Sequence, residues 1–105
     1  GLGDIGVHFP PGDPQYKGIS SIKLLERVGG MLGERGWKVG NIDVVVAAEQ
    51  PRLRDFINAM CCNLSEVLGI EASAVNVKAS TTEELGFVGR EEGMAAWATV
   101  LIEKI

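Results

Sequence analysis

Apolar residues recur along this chain with two different periods, and the switches between them lay out the elements in order. Ile22, Leu25, Val28 and Leu32 fall three and four positions apart, on one face of a helix. Ser20 or Ser21 before them is a suitable N-cap and Gly36 a natural stop, so the pattern predicts a helix through about Arg35. Gly29-Gly30 weakens this helix and permits close packing of a neighbour. From Trp37 to Ala48 the period drops to two. Ile42, Val44 and Val46 alternate with Asp43, Val45 and Ala47, predicting a strand that Pro51 ends. Phe56, Ile57, Met60, Leu64, Val67 and Leu68 form a second helical stripe, from about Leu53 to Leu68, stopped by Gly69. A short strand, Ala74 to Ala79, follows. The last strand, Gly93 to Ile105, carries Met94, Ala96, Ala98, Val100 and Ile102 on one side and Trp97, Thr99 and Leu101 on the other. Apolar residues on both sides imply cover from helices or from another subunit. Residues Gly1 to Gly18 show no period, hold three of the four prolines and read as loop.

The order is loop, helix, strand, helix, strand, turn, strand. It predicts one domain over residues 1–105 of the α+β class, a two-layer sandwich whose small mixed sheet is covered by helices. Three strands leave edges exposed, so either a further strand lies upstream of Gly1 or assembly with other copies covers them.

Composition narrows the function classes. A net charge of −4 argues against a nucleic-acid or anionic-membrane surface, which needs a basic balance. No apolar run of about 18 residues marks a membrane span. Cys61 and Cys62 are neighbours, poor partners for a disulfide, and imply reduced thiols in a cytosol-like compartment. His8 is the single histidine, and it reads as an exposed loop residue rather than a ligand. The chain opens on Gly1 without Met or a signal-peptide pattern, as a processed form or a fragment would.

The most chemically suggestive stretch runs from Val77 to Arg90. A strand gives way to Ser80-Thr81-Thr82, a carboxylate at Glu83, two glycine turns and Arg90. Hydroxyls and free backbone N–H groups at such a junction suit phosphate oxygens. A carboxylate beside them suits a bridging divalent cation. Lys78 or Arg90 can add positive charge. The plainer reading of Ser80 to Glu83 is a capping box at a helix start, which is itself an anion site. Asp43 reads as a structural hydrogen-bonding residue, and Trp97 as packing at a subunit interface.

Four blocks in order carry a family resemblance. They are Gly3-Asp4-Ile5-Gly6 with Phe9-Pro10 and Asp13 to Gly18; Gly40-Asn41-Ile42-Asp43; Val75 to Ala79 with Thr81-Thr82-Glu83; and Leu85-Gly86-Phe87 with Gly89-Arg90 and Glu92-Gly93. Over essentially its whole length the chain resembles the 2-C-methyl-D-erythritol 2,4-cyclodiphosphate synthases, enzymes of non-mevalonate isoprenoid biosynthesis. The resemblance implies a homotrimer with active sites between subunits, in a bacterial cytoplasm or a plastid-type organelle. The implied reaction cyclises a CDP-linked methylerythritol 2-phosphate with loss of CMP. A zinc-type ion held by an Asp-x-His pair and another His is implied too, with Mg or Mn on the diphosphate. The zinc ligands and a His-Ser pair fall in family segments upstream of Gly1, so the chain looks like the C-terminal part.

By the same resemblance Asp4, Ile5 and Gly6 contact the sugar. Phe9, Pro10, Pro11, Gly12 and Asp13 line the methylerythritol phosphate pocket, where the family usually has Phe-Pro-Asp-Thr-Asp. Ala48, Glu49, Gln50, Pro51, Arg52, Leu53 and Arg54 form the cytosine pocket, where the family commonly has Ala-Gln-Ala-Pro-Lys-Met. Ser80, Thr81 and Thr82 face the phosphates, with Thr81 stabilising the transition state, and Glu83 holds the diphosphate cation. Phe87 and Arg90 face a trimer axis that can take isoprenoid diphosphates, and Glu91 stands where glycine is usual. Two rival functions stand beside this one: a trimeric nucleotide- or isoprenoid-diphosphate-binding module without a zinc site, and an unrelated small α/β trimer.

Overall fold

A computed structural model describes residues 1–105. Seven elements follow one another: α1 (Ile5–His8), α2 (Ser21–Glu34), β1 (Trp37–Ala47), α3 (Ile57–Leu68), β2 (Val75–Ser80), α4 (Gly86–Gly89) and β3 (Ala95–Lys104). Single 3-10 turns occupy Pro14–Tyr16, Arg54–Phe56 and Ala72–Ala74.

Local chemistry explains the boundaries of the long helices. Ser20 caps α2, its Oγ accepting from the Ile22 N–H at 3.2 Å. The chain leaves α2 and α3 through Gly36 (φ +82°) and Gly69 (φ +67°), left-handed conformations that glycine adopts without penalty. The segment expected to be all loop before α2 contains α1 and a 3-10 turn. The turn is capped by Asp13, whose carboxylate accepts from the Gln15 N–H at 3.1 Å and side-chain Nε2 at 2.8 Å. One turn of helix has no period to read, which is why pattern alone misses both. Phe9 meets Tyr16 edge to face at 5.3 Å, and the Arg27 guanidinium lies 5.3 Å from the Tyr16 ring centroid, tying this segment to α2.

The sheet is mixed, in the order β2-β1-β3. β1 and β2 are parallel and are linked through α3, whereas β3 runs antiparallel on the other side of β1. A register shift between Val39 and Asn41 bulges β1 at Gly40, against which the Glu103 side chain lies. Helices cover one face only. Ile42, Val75 and Val77 are buried there, packed with Val44 and Val46 of β1 and Ile57, Met60, Leu64 and Leu68 of α3. Gly29 lets the helices close: a Cβ at that position would stand 3.2 Å from Leu68 Cδ2.

The other face of the sheet is open. Only seven of 105 residues are buried, while Trp97 is 62% exposed and Leu101 55%. Fully burying one such side chain contributes about 1.5–3 kcal/mol, so this uncovered surface is a substantial unrealised gain. The expectation of cover on both sides of the last strand is therefore not met within one chain: β3 is exposed on both faces, including Val100 and Ile102.

Asp43 sits on the open face and makes the structural contacts expected of it. It accepts from Lys78 Nζ at 3.0 and 2.9 Å and from Asn76 Nδ2 at 2.9 Å. Lys78 first, then Asn76, holds its carboxyl below the ordinary aspartate range. A depressed folded value stabilises the fold above the unfolded pKa and loses that contribution as pH falls through the folded one. Asp43→Asn should thus flatten the acid limb of the melting-temperature profile below about pH 4 and leave its neutral region nearly level. Differential scanning calorimetry across pH 2–7 (about that range) checks it. Lys78 is consequently committed to Asp43 and is not the free phosphate cation proposed from sequence.

Candidate functional site

Parallel neighbours point their C-terminal ends the same way, so β1 and β2 deliver their following loops to one edge of the sheet. Ala47 lies opposite Ser80, and the Ala48 N–H donates to the Ser80 carbonyl at 3.0 Å, fastening the two exits together. Between the loops lies a cleft of about 520 Å³. Ala48 to Gln50 and Arg52 to Asp55 form one wall, and Ala79 to Thr81 form the other. The sequence-predicted nucleotide loop and the start of the hydroxyl cluster are thus brought together. Arg52 and Arg54 place two guanidinium groups on one wall, and neither belongs to the chain's three ion pairs. Charge for an anionic ligand therefore resides in this loop rather than at Lys78.

The hydroxyl cluster is not a capping box. No helix starts at Thr81; Glu83 (φ +52°) and Glu84 (φ +64°) instead form a left-handed turn. Its organiser is Glu49, whose Oε1 accepts from the Thr82 N–H at 2.9 Å and the Glu84 N–H at 3.2 Å. These contacts, the Thr82 N–H foremost, hold the Glu49 carboxyl below the ordinary glutamate range. Nothing in the local sequence marks Glu49 for more than lining the pocket, because the bonded partners lie more than 30 positions away.

The three hydroxyls differ in availability. Ser80 Oγ donates to the Thr81 carbonyl at 3.1 Å, and Thr82 Oγ1 donates to the Leu85 carbonyl at 2.7 Å. Thr81 Oγ1 accepts from the Glu83 N–H at 3.3 Å, which leaves its own hydrogen to donate into the cleft that it lines. Glu83 is exposed on the turn two residues on and does not line the cleft.

The remaining predicted residues stand apart from this cleft. Asp4 precedes α1 with its carboxylate making no cap bond, Ile5 and Gly6 lie in α1, and Phe9 to Asp13 follow it. None of these eight lines the cleft, and Pro51 is the one member of the nucleotide loop that does not. Phe87 is half exposed in α4, and Arg90 pairs with Glu92 at 2.7 Å. Glu91 has φ +59°, a conformation in which glycine is at ease, and this accounts physically for the glycine usual at that position. No group of three or more His, Cys, Asp or Glu side chains converges on a metal site, and His8 Nε2 lies 2.6 Å from the Leu2 carbonyl oxygen.

The model of the YgbB family matches residues 1–103. Over 103 residues the chain is 55% identical to a 2-C-methyl-D-erythritol 2,4-cyclodiphosphate synthase of Dehalococcoides mccartyi, covering 98% of this chain and 66% of that protein. A synthase of the same name from Thioalkalivibrio sulfidiphilus is 55% identical over 102 residues, with 97% and 64% covered. The chain thus spans about two thirds of the length of these relatives. Among solved structures, the bifunctional IspDF of Campylobacter jejuni superposes with a TM-score of 0.94 at 41% identity, over 99% of this chain and 28% of that one. A CDP-bound 2C-methyl-D-erythritol-2,4-cyclodiphosphate synthase superposes with a TM-score of 0.86 at 27% identity, over 97% and 65%.

Proposed function

This chain belongs to the YgbB family, and on that premise we propose that the protein carrying it is a 2-C-methyl-D-erythritol 2,4-cyclodiphosphate synthase. Its substrate is a CDP-linked methylerythritol 2-phosphate, and its products are the cyclic diphosphate and CMP. The observation that carries the reading is the cleft beyond β1 and β2, where a two-arginine loop faces an uncommitted threonine hydroxyl. The relative solved with CDP supports a cytidine nucleotide as occupant.

The reaction is an internal phosphoryl transfer. The 2-phosphate oxygen forms a bond to the β-phosphorus, the bond to the bridging oxygen of CMP breaks, and CMP departs with the electron pair. Little covalent chemistry falls to the protein, so positioning and charge neutralisation carry catalysis. Ala48 to Arg54 binds the cytidine end, with Arg52 and Arg54 opposing phosphate charge. Thr81 donates its hydroxyl hydrogen to a phosphate oxygen. Glu83 would supply a carboxylate to a Mg or Mn ion on the diphosphate. When bound, that ion neutralises the charge that develops on the diphosphate. The residues do not fit a zinc-type site, because its three-donor set has no counterpart among them.

Asp4 to Gly6 and Phe9 to Asp13, outside this cleft, are proposed to complete the site of a neighbouring copy in a homotrimer. The exposed apolar residues of β3 support that assembly. Phe87 and Arg90 then lie near its axis, open to an isoprenoid diphosphate.

The decisive test supplies the purified full-length protein with the CDP-linked 2-phosphate and Mg2+, following CMP by chromatography and phosphorus by 31P NMR. Equal amounts of CMP and cyclic diphosphate are expected. CDP binding without CMP release would instead establish a binding module, and neither would end the reading.

A further inference from the structure

The turn at Thr82–Glu84 is an anion-binding nest already filled by a side chain of the same protein. Consecutive backbone N–H groups in left-handed conformation create a concave site for negative charge. Here the Thr82 and Glu84 N–H groups converge on Glu49 Oε1 at 2.9 and 3.2 Å, and the Glu83 N–H between them is taken by Thr81 Oγ1 at 3.3 Å. None of the three remains for a substrate phosphate. Side-chain-bearing residues persist in the left-handed region only where the surroundings over-determine them. Glu83 and Glu84 are both there, and Glu49 is the one side chain that binds the turn from the opposite strand exit. Glu49 itself belongs to the cleft wall that carries Arg52 and Arg54.

We propose that Glu49 is a positioning residue that couples the nucleotide loop to the turn presenting Thr81 and Glu83. Its carboxylate fixes the spacing between the wall that holds the cytidine end and the two groups that meet the phosphates and their cation. The role deepens the synthase reading and rests on it. It needs an acceptor oxygen at Oε1 rather than a negative charge, so glutamine satisfies it.

The test compares Glu49→Ala and Glu49→Gln in the full-length protein, with CMP release measured against substrate and Mg2+ concentration. In E49A, kcat is expected to fall about tenfold and the Mg2+ concentration for half activity to rise about tenfold, with KM changed less than either. E49Q is expected to recover most of both losses. A merely structural role would lower the melting temperature and the active fraction without moving the Mg2+ requirement. A folded E49A with the wild-type Mg2+ requirement overturns the proposal, as does an E49Q as impaired as E49A. Amide hydrogen exchange on the unmodified protein stands independently of folding of the variants and of catalysis. The Thr82 and Glu84 amides should be protected, and free exchange at both overturns the coupling. An inactive wild type with both amides protected defeats the synthase reading instead.

Discussion

Gly89→Ala is expected to destabilise the protein by roughly 1–3 kcal/mol, the range for forcing extra atoms into a packed site. A Cβ at Gly89 would stand 2.1 Å from the Glu84 carbonyl carbon, 2.6 Å from its oxygen and 2.7 Å from its Cα. Ordinary contact begins at 3.4 Å, and the atoms in the way are backbone, which has no rotamer to escape into. Either α4 lifts away or the Glu83–Glu84 turn moves. Val88, 4% exposed, anchors α4, so the turn is the element that gives. Cation and phosphate binding should therefore weaken along with stability. Gly30→Ala supplies the opposite sign. It lies within α2, a Cβ there meets nothing within 4 Å, and alanine improves helix propensity by about 0.5–1 kcal/mol. Thermal melts of the two variants should move in opposite directions. A Gly89→Ala protein that melts with the wild type would show that the turn is slack and that the close approach of α4 has no consequence.

The elements most legible in the sequence are those whose side chains repeat. The Ile22 to Leu32 stripe and the alternation from Ile42 to Val46 become the expected helix and strand within a residue or two, whereas the Phe56 to Leu68 stripe becomes a helix only from Ile57, four residues later than expected, because Arg54–Phe56 forms a 3-10 turn. Periodicity also assigned the faces of the last strand correctly: Ala98 and Val100 pair with Val44 and Ile42 on the helix side, and Trp97 and Thr99 with Val45 and Asp43 on the open side. It had no means of showing that both faces would stay bare, because cover is a property of neighbours rather than of the strand. Ser80 to Glu83 failed in the opposite way. The Ser-x-x-Glu spacing is a valid cap signal, but the long-range bonds from Glu49 and the close packing of Gly89 impose a left-handed turn instead. Motif spacing records local preference, and tertiary contacts over 30 residues away overrode it. The two-wall cleft was legible only as two separate loops, because the parallel register of Ala47 with Ser80 joins them. The residues from Asp4 to Asp13 were legible as a block, yet one chain does not bring them to that cleft.

The availability of side chains around the cleft singles out Glu83 for the second large effect. Three carboxylates surround the turn, but Glu49 commits its Oε1 to the backbone N–H groups of Thr82 and Glu84. Glu84 sits one residue further along, and its backbone, not its carboxylate, makes the turn's contacts. Glu83 alone combines an exposed carboxylate with a backbone N–H tied to the hydroxyl of Thr81, so its position follows that of the group proposed to face the phosphates. Glu83→Gln keeps the shape and the left-handed backbone while removing the charge. The expected result is a fall in kcat/KM of about 100-fold at limiting Mg2+, partly recovered at high Mg2+, because a single charged ligand is lost and the diphosphate ligands remain. Glu84→Gln, which has the same charge change and the same backbone conformation, should alter either quantity by no more than about threefold. Steady-state CMP release at varied Mg2+ for both variants separates the cases. Equal effects would mean that the cation responds to the summed charge of the turn, and no effect from Glu83→Gln would leave Glu83 a solvated turn residue and assign the cation to other groups.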